Sequence, residues 1–112
     1  MAKYLIIYNA IMNTREQMNN SSPEAIQASI TEWLAWREVA SKTATVDFGL
    51  PLQAVSRVTP DGVTNSNNPA TGYSILEGGS KANIMTLLQT HPHLRREGTS
   101  IDVFEMLPMP GL

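Results

Sequence analysis

Apolar and polar positions recur with a readable period along most of this chain. In Lys3–Asn9, Tyr4, Ile6 and Tyr8 fall on one face and Leu5 and Ile7 on the other, so the run reads as a central strand covered on both sides. Residues 10–20 lack a sustained period and read as a loop or frayed turn. Ser21-Ser22-Pro23-Glu24 then starts a helix: Ser22 suits the cap, Pro23 the first helical position, and Ser21 to Glu24 fits the capping-box spacing in the alternative register. Ile26, Ile30, Trp33, Leu34 and Ala40 share one helical face, with Arg37 in the middle of that stripe and Trp36 on its flank.

Residues 45–50 alternate, with Val46, Phe48 and Leu50 opposite Thr45, Asp47 and Gly49, and Pro51 ends this half-buried strand. Thr59-Pro60-Asp61-Gly62 is turn chemistry between 53–59 and Gly62–Asn65, which predicts a small hairpin. The stretch 70–110 organises the rest. A strand over 71–77 is broken by Gly78-Gly79, and Ser80 caps a helix whose Ile84, Leu87, Leu88 and His91 share a face. Pro92 ends that helix, and a turn at Glu97-Gly98-Thr99 leads into a strand over 101–107. There Ile101 and Val103 point one way, Phe104 and Met106 the other.

Strand, helix, strand, hairpin, strand, helix, strand is the order of a ferredoxin-like α+β domain with a hairpin elaboration, one domain over 1–112. Two helices cover one face of such a sheet. The other face would expose either Tyr4, Ile6 and Tyr8 or Leu5 and Ile7, together with Phe104 and Met106 or Ile101 and Val103. Leaving these wet forfeits roughly 1.5–3 kcal/mol each. An isologous homodimer, packing sheet on sheet as a dimeric α/β barrel and leaving a cavity, is the expected solution.

Composition narrows the function classes. With 42% hydrophobic and 16% charged residues and a net charge of −2, the chain reads as an ordinary globular domain. The eight Lys and Arg are scattered apart from Arg95-Arg96, so no nucleic-acid partner is expected. With no Cys, disulfides, thiolate catalysis and Cys-ligated zinc are excluded. The apolar run at 4–8 is too short for a secretory core or a membrane span, so no membrane partner and a cytoplasmic location are expected.

His91 and His93 are the only histidines, and three readings compete for them. They finish the helix and hold the following turn. Or one pairs with a carboxylate, Asp47 first and Asp102 or Glu105 next, to move a proton. Or both join a carboxylate around a metal, a His-x-His spacing too common to be diagnostic. The acid–base reading names His93, Asp47 and His91 as catalytic candidates, with no metal and no cofactor assigned. Tyr8, Trp36 and Tyr73 are candidates for lining an aromatic cavity and Met106 for an adaptable wall. Arg37 either snorkels from the end of its helix or holds an anionic group of a ligand.

These residues resemble the YCII-related family, which includes the DGPF-type domains. The resemblance rests on Gly72-Tyr73-Ser74-Ile75-Leu76-Glu77, His91-Pro92-His93-Leu94, Ile101-Asp102-Val103, Leu107-Pro108-Met109-Pro110-Gly111, Asp47-Phe48-Gly49-Leu50-Pro51-Leu52 and Trp33-Leu34-Ala35-Trp36. It implies a ferredoxin-like α+β barrel formed by dimerisation, with a pocket between sheet and helices and, in some members, a His–Asp pair. Asn67-Asn68-Pro69-Ala70 stands where that family has Asp-Gly-Pro-Phe, and no His occurs in the first half of the chain. The expectation is a homodimer that binds an unknown small organic molecule. Its rival is an interaction module whose dimerisation is the function.

Overall fold

Strict alternation in the first strand sets the layers of the molecule. The computed structural model describes residues 2–111. In chain order it contains β1 (Lys3–Asn9), α1 (Thr14–Asn20), α2 (Pro23–Ala40), β2 (Thr45–Asp47), β3 (Ser56–Thr59), β4 (Gly62–Asn65), β5 (Ala70–Glu77), α3 (Lys81–Gln89) and β6 (Ser100–Met106), with a 3₁₀ turn at Pro92–Arg95. One sheet has the order β2–β5–β1–β6, every pair antiparallel, and β3–β4 form a separate two-stranded ribbon. The fold is mixed α+β, and the four-stranded sheet is open rather than closed into a barrel.

Tyr4, Ile6 and Tyr8 point beneath the helices, where they meet Leu76 and Ser74 of β5 and Ile84, Leu88, Trp36 and Ala40 from above. Register carries Ile101 and Val103 to the same side, opposite Tyr8 and Ile6. Leu5, Ile7, Ile75, Phe104 and Met106 therefore share the helix-free side, which settles the choice between the two sets. Phe104 is 53% and Met106 44% exposed there.

Four elements depart from the sequence reading. First, 14–20 is helical: Asn13 accepts from the Glu16 amide at 2.9 Å and donates to its carboxylate, a reciprocal cap. No residue of α1 is fully buried, so it leaves no apolar period to read. Second, α2 buries Trp36 and Ala40, with Trp33 partly covered, while Ile26, Ile30 and Leu34 stay half exposed. The two indoles bring the larger area and decide which face turns inward. Third, β2 stops at Asp47, whose Oδ1 accepts from the Gly49 amide at 2.9 Å, and Gly49 turns the chain at φ 64°. Leu50 and Leu52 still bond to β5 beyond that bend. Fourth, α3 ends at Gln89, so His91 lies past the helix in extended geometry and caps the 3₁₀ turn. The proline after it disfavours helical geometry at this position.

Candidate functional site

β1, the loop after β2, and the turn after α3 converge under α2. Tyr8 lies on the helix-covered face and its phenol donates to Ser74 Oγ at 2.8 Å, which donates in turn to the Phe48 carbonyl at 3.1 Å. Burial pushes the Tyr8 phenol up to about 12, so it remains a protonated donor near neutrality.

His91 sits among Tyr8, Trp33 and Trp36, with ring centroids 4.9, 4.4 and 4.4 Å away. Its Nδ1 accepts from the His93 amide at 3.0 Å, which places the neutral ring's proton on Nε2. Among the described residues Nε2 is buried without a hydrogen-bond partner. Burial pushes this imidazole down to about 3, with nearby His93 acting in the same direction, so His91 is neutral at pH 7. His93 bonds through Nε2 to the Asn9 carbonyl at 2.9 Å; a carbonyl only accepts, so Nε2 carries the proton. Its pKa is also lowered, chiefly by burial, against the pull of the Asn9 and Ser100 carbonyls.

Beside Tyr8 and His93 opens a cavity of about 350 Å³, walled by Met18 of α1, Ile30, Trp33 and Leu34 of α2, Phe48 after β2, and Thr71 to Tyr73 of β5. That lies at the small end of the roughly 300–1,000 Å³ typical of ligand pockets. It belongs to a single chain and lies under the helices, so of the two places expected for a hollow it is the helix–sheet cleft. No Asp, Glu, Lys or Arg lines it among the described residues. A second cleft of about 290 Å³, near Ala10, Glu16, Gln53 and Asn68, is polar. Several of its side chains, such as Asn13 and Ser66, already bond to neighbouring backbone amides.

Three of the eight residues singled out from sequence meet here: Tyr8, Tyr73 and His93. His91 is one layer deeper, in contact with Tyr8 rather than with the cavity. Asp47 is exposed and bonded to Gly49. It stands opposite Ile75 in register, on the helix-free side, while both imidazoles lie near the covered side, so the pairing with His93 or His91 is not formed. Among the described residues no hydrogen bond or ion pair joins either imidazole to a carboxylate. Asp102 instead accepts from the Asn9 amide side chain at 2.9 Å. No group of three His, Asp or Glu is placed to share a metal ion among those residues.

Trp36 packs in the core and donates from Nε1 to the Leu87 carbonyl at 2.9 Å. Arg37 is exposed, its guanidinium carbon 5.0 Å from the centroid of Phe48, so it backs a wall of the cavity from outside. Met106 belongs to the helix-free face. The reading from sequence missed Trp33, Phe48, Ile30, Leu34 and all of α1. Ile30 and Leu34, apolar at i and i+4, satisfy a core-facing period, so the sequence carries no signal that separates them from core; their half-exposure shows only in the fold. No protein-family model matches the chain, and no curated protein matches it.

Proposed function

We propose that this chain is a small-molecule-binding protein of the YCII-related kind, acting in the cytoplasm as a homodimer of ferredoxin-like protomers. The strand order β2–β5–β1–β6 with helices on one side supports the ferredoxin-like plan. The apolar helix-free face supports pairing. The binding reading is carried by the cavity itself: a largely apolar hollow of about 350 Å³ with hydrogen-bonding side chains, Tyr8 and His93 among them, in its lining. His–Asp acid–base chemistry draws no support, because no carboxylate reaches either ring. Pairing and binding use opposite faces of the sheet, so neither depends on the other.

The test fills the hollow. Ile30→Trp and Leu34→Trp place an indole in the cavity from half-exposed positions of α2. Wild type screened by thermal shift against a fragment library is expected to give stabilising hits that both variants lose while keeping their own melting temperatures. A wild type with no hits, or hits unaffected by either filled variant, overturns the proposal.

A further inference from the structure

Beneath α1 lies the cavity rather than packed core. Thr14, Gln17 and Met18, at i, i+3 and i+4, share one face of this helix, and all three line the hollow. Met18, the apolar side chain of that face, is 52% exposed. Ile30 and Leu34 of α2 line the same hollow and are 46% and 43% exposed, so three apolar side chains on two helices each leave about half their surface wet. The ties of α1 are gathered at one end. Thr14 Oγ1 shares its proton between the Leu52 and Thr71 carbonyls, and the Arg15 amide donates to Gln53 Oε1 at 3.0 Å. Among the described residues, 16–20 form hydrogen bonds only with one another and with Met12 and Asn13. The cap at Asn13 and the bond from Gln17 Nε2 to the Met12 carbonyl at 2.9 Å hold the segment helical by itself, while no such bond fastens its last turn to the sheet. A helix fixed at its first turn and free at its last moves as a unit about Thr14.

Resting on the reading of this cavity as a binding site, we infer that α1 is a lid, pivoting on its Thr14 end, which closes Met18 onto a largely apolar ligand in the cavity. With such a molecule between α1 and α2, Met18, Ile30 and Leu34 lose water together, and this burial drives closure. No ionised side chain lines the hollow among the described residues, so apolar burial rather than ion pairing is the available force. Without an occupant α1 buries no side chain fully and is loosely held, which gives the ligand its way in.

The indoles of Ile30→Trp and Leu34→Trp serve as occupants fixed in place, so the lid is tested on the full chain without a free ligand. By hydrogen exchange, at least one of the two variants is expected to slow the 17–20 amides about fivefold or more relative to wild type, with the β1 and β5 amides unchanged. Adding Met18→Ala to that variant is expected to return 17–20 to within about twofold of the wild-type rate, whereas Met18→Ala alone, with no occupant to close on, leaves that rate within about twofold. Slowing in neither variant, slowing spread equally over β1 and β5, or slowing that survives Met18→Ala would overturn the lid. Fragment hits that stabilise wild type but leave exchange in 17–20 unchanged would also overturn it, leaving the binding reading intact. A screen without hits beside slowing that depends on Met18 would overturn the binding reading alone.

Discussion

A neutral imidazole at His91 gives the protein a stability that acid removes. Its folded pKa of about 3 lies below the ordinary 6.5, so above pH 6.5 both folded and unfolded states hold it neutral and its contribution is fully present. As the pH falls below 6.5 the unfolded chain takes up a proton that the folded chain refuses, and stability drops by up to about 1.4 kcal/mol per pH unit until the folded pKa is reached. His93, also lowered, acts in the same direction. His91→Asn keeps a polar atom near the His93 amide and removes the titration. Urea unfolding at pH 7, 6 and 5 is expected to show a variant less stable than wild type at pH 7 whose pH slope is smaller, by up to about 1.4 kcal/mol per unit at the acid end. Equal slopes would show that His91 is hydrated in the folded state. Gly49 is the second sensitive residue. At φ 64° a Cβ would lie 2.5 Å from Tyr73 Cε2 and 2.6 Å from the Tyr73 carbonyl oxygen. Gly49→Ala is expected to cost about 1–3 kcal/mol by the same measurement, from backbone strain and displacement of Tyr73 together.

At the scale of elements, α1 is held by few bonds. It has no fully buried side chain, and Thr14 ties its first turn to Leu52 and Thr71. Thr14→Val keeps the shape and removes both bonds. Hydrogen exchange is expected to accelerate in 14–20 and leave the β1 and β5 amides unchanged; uniform acceleration would mean that α1 is part of the global core. This same lack of burial is why sequence missed the helix, whereas the caps at Ser22 and Ser80 and the alternation of β1, β5 and β6 were legible, because they repeat local rules. The hairpin turn was legible for that reason too. Which side of the sheet the helices cover is not a local property. Alternation put Asp47 opposite Val46, yet only the register β2 to β5 shows that this side is away from His91 and His93. The cavity escaped in the same way: Ile30 and Leu34 satisfy a core-facing period, and only the packing of Trp33 and Trp36 shows that the core lies one step round the helix.

At the scale of the whole molecule, a two-layer arrangement leaves one side of the sheet uncovered. Leu5, Ile7 and Ile75 form its centre, and Phe104, with Met106 beside it, lies on the β6 edge opposite Leu5. Lys3 and Glu77 form an exposed pair, 3.9 Å apart, at one end of that centre, and Asp102 and Asp47 stand on the same side, so polar groups rim an apolar middle. In the proposed homodimer such a patch would meet its own copy about a two-fold axis, each protomer offering the same apolar middle to its partner. An acidic substitution at Phe104 would then be buried twice per dimer without a counter-charge, and two like charges would meet near the axis. Light scattering is expected to give twice the chain mass for wild type and the single-chain mass for Phe104→Asp, with far-UV circular dichroism unchanged. Because the cavity lies on the opposite side of the sheet, the Phe104→Asp monomer is expected to keep the fragment hits of wild type in the thermal-shift screen. A wild-type monomer would remove the need for a partner, and a monomeric variant that no longer binds would place the cavity under the control of the interface.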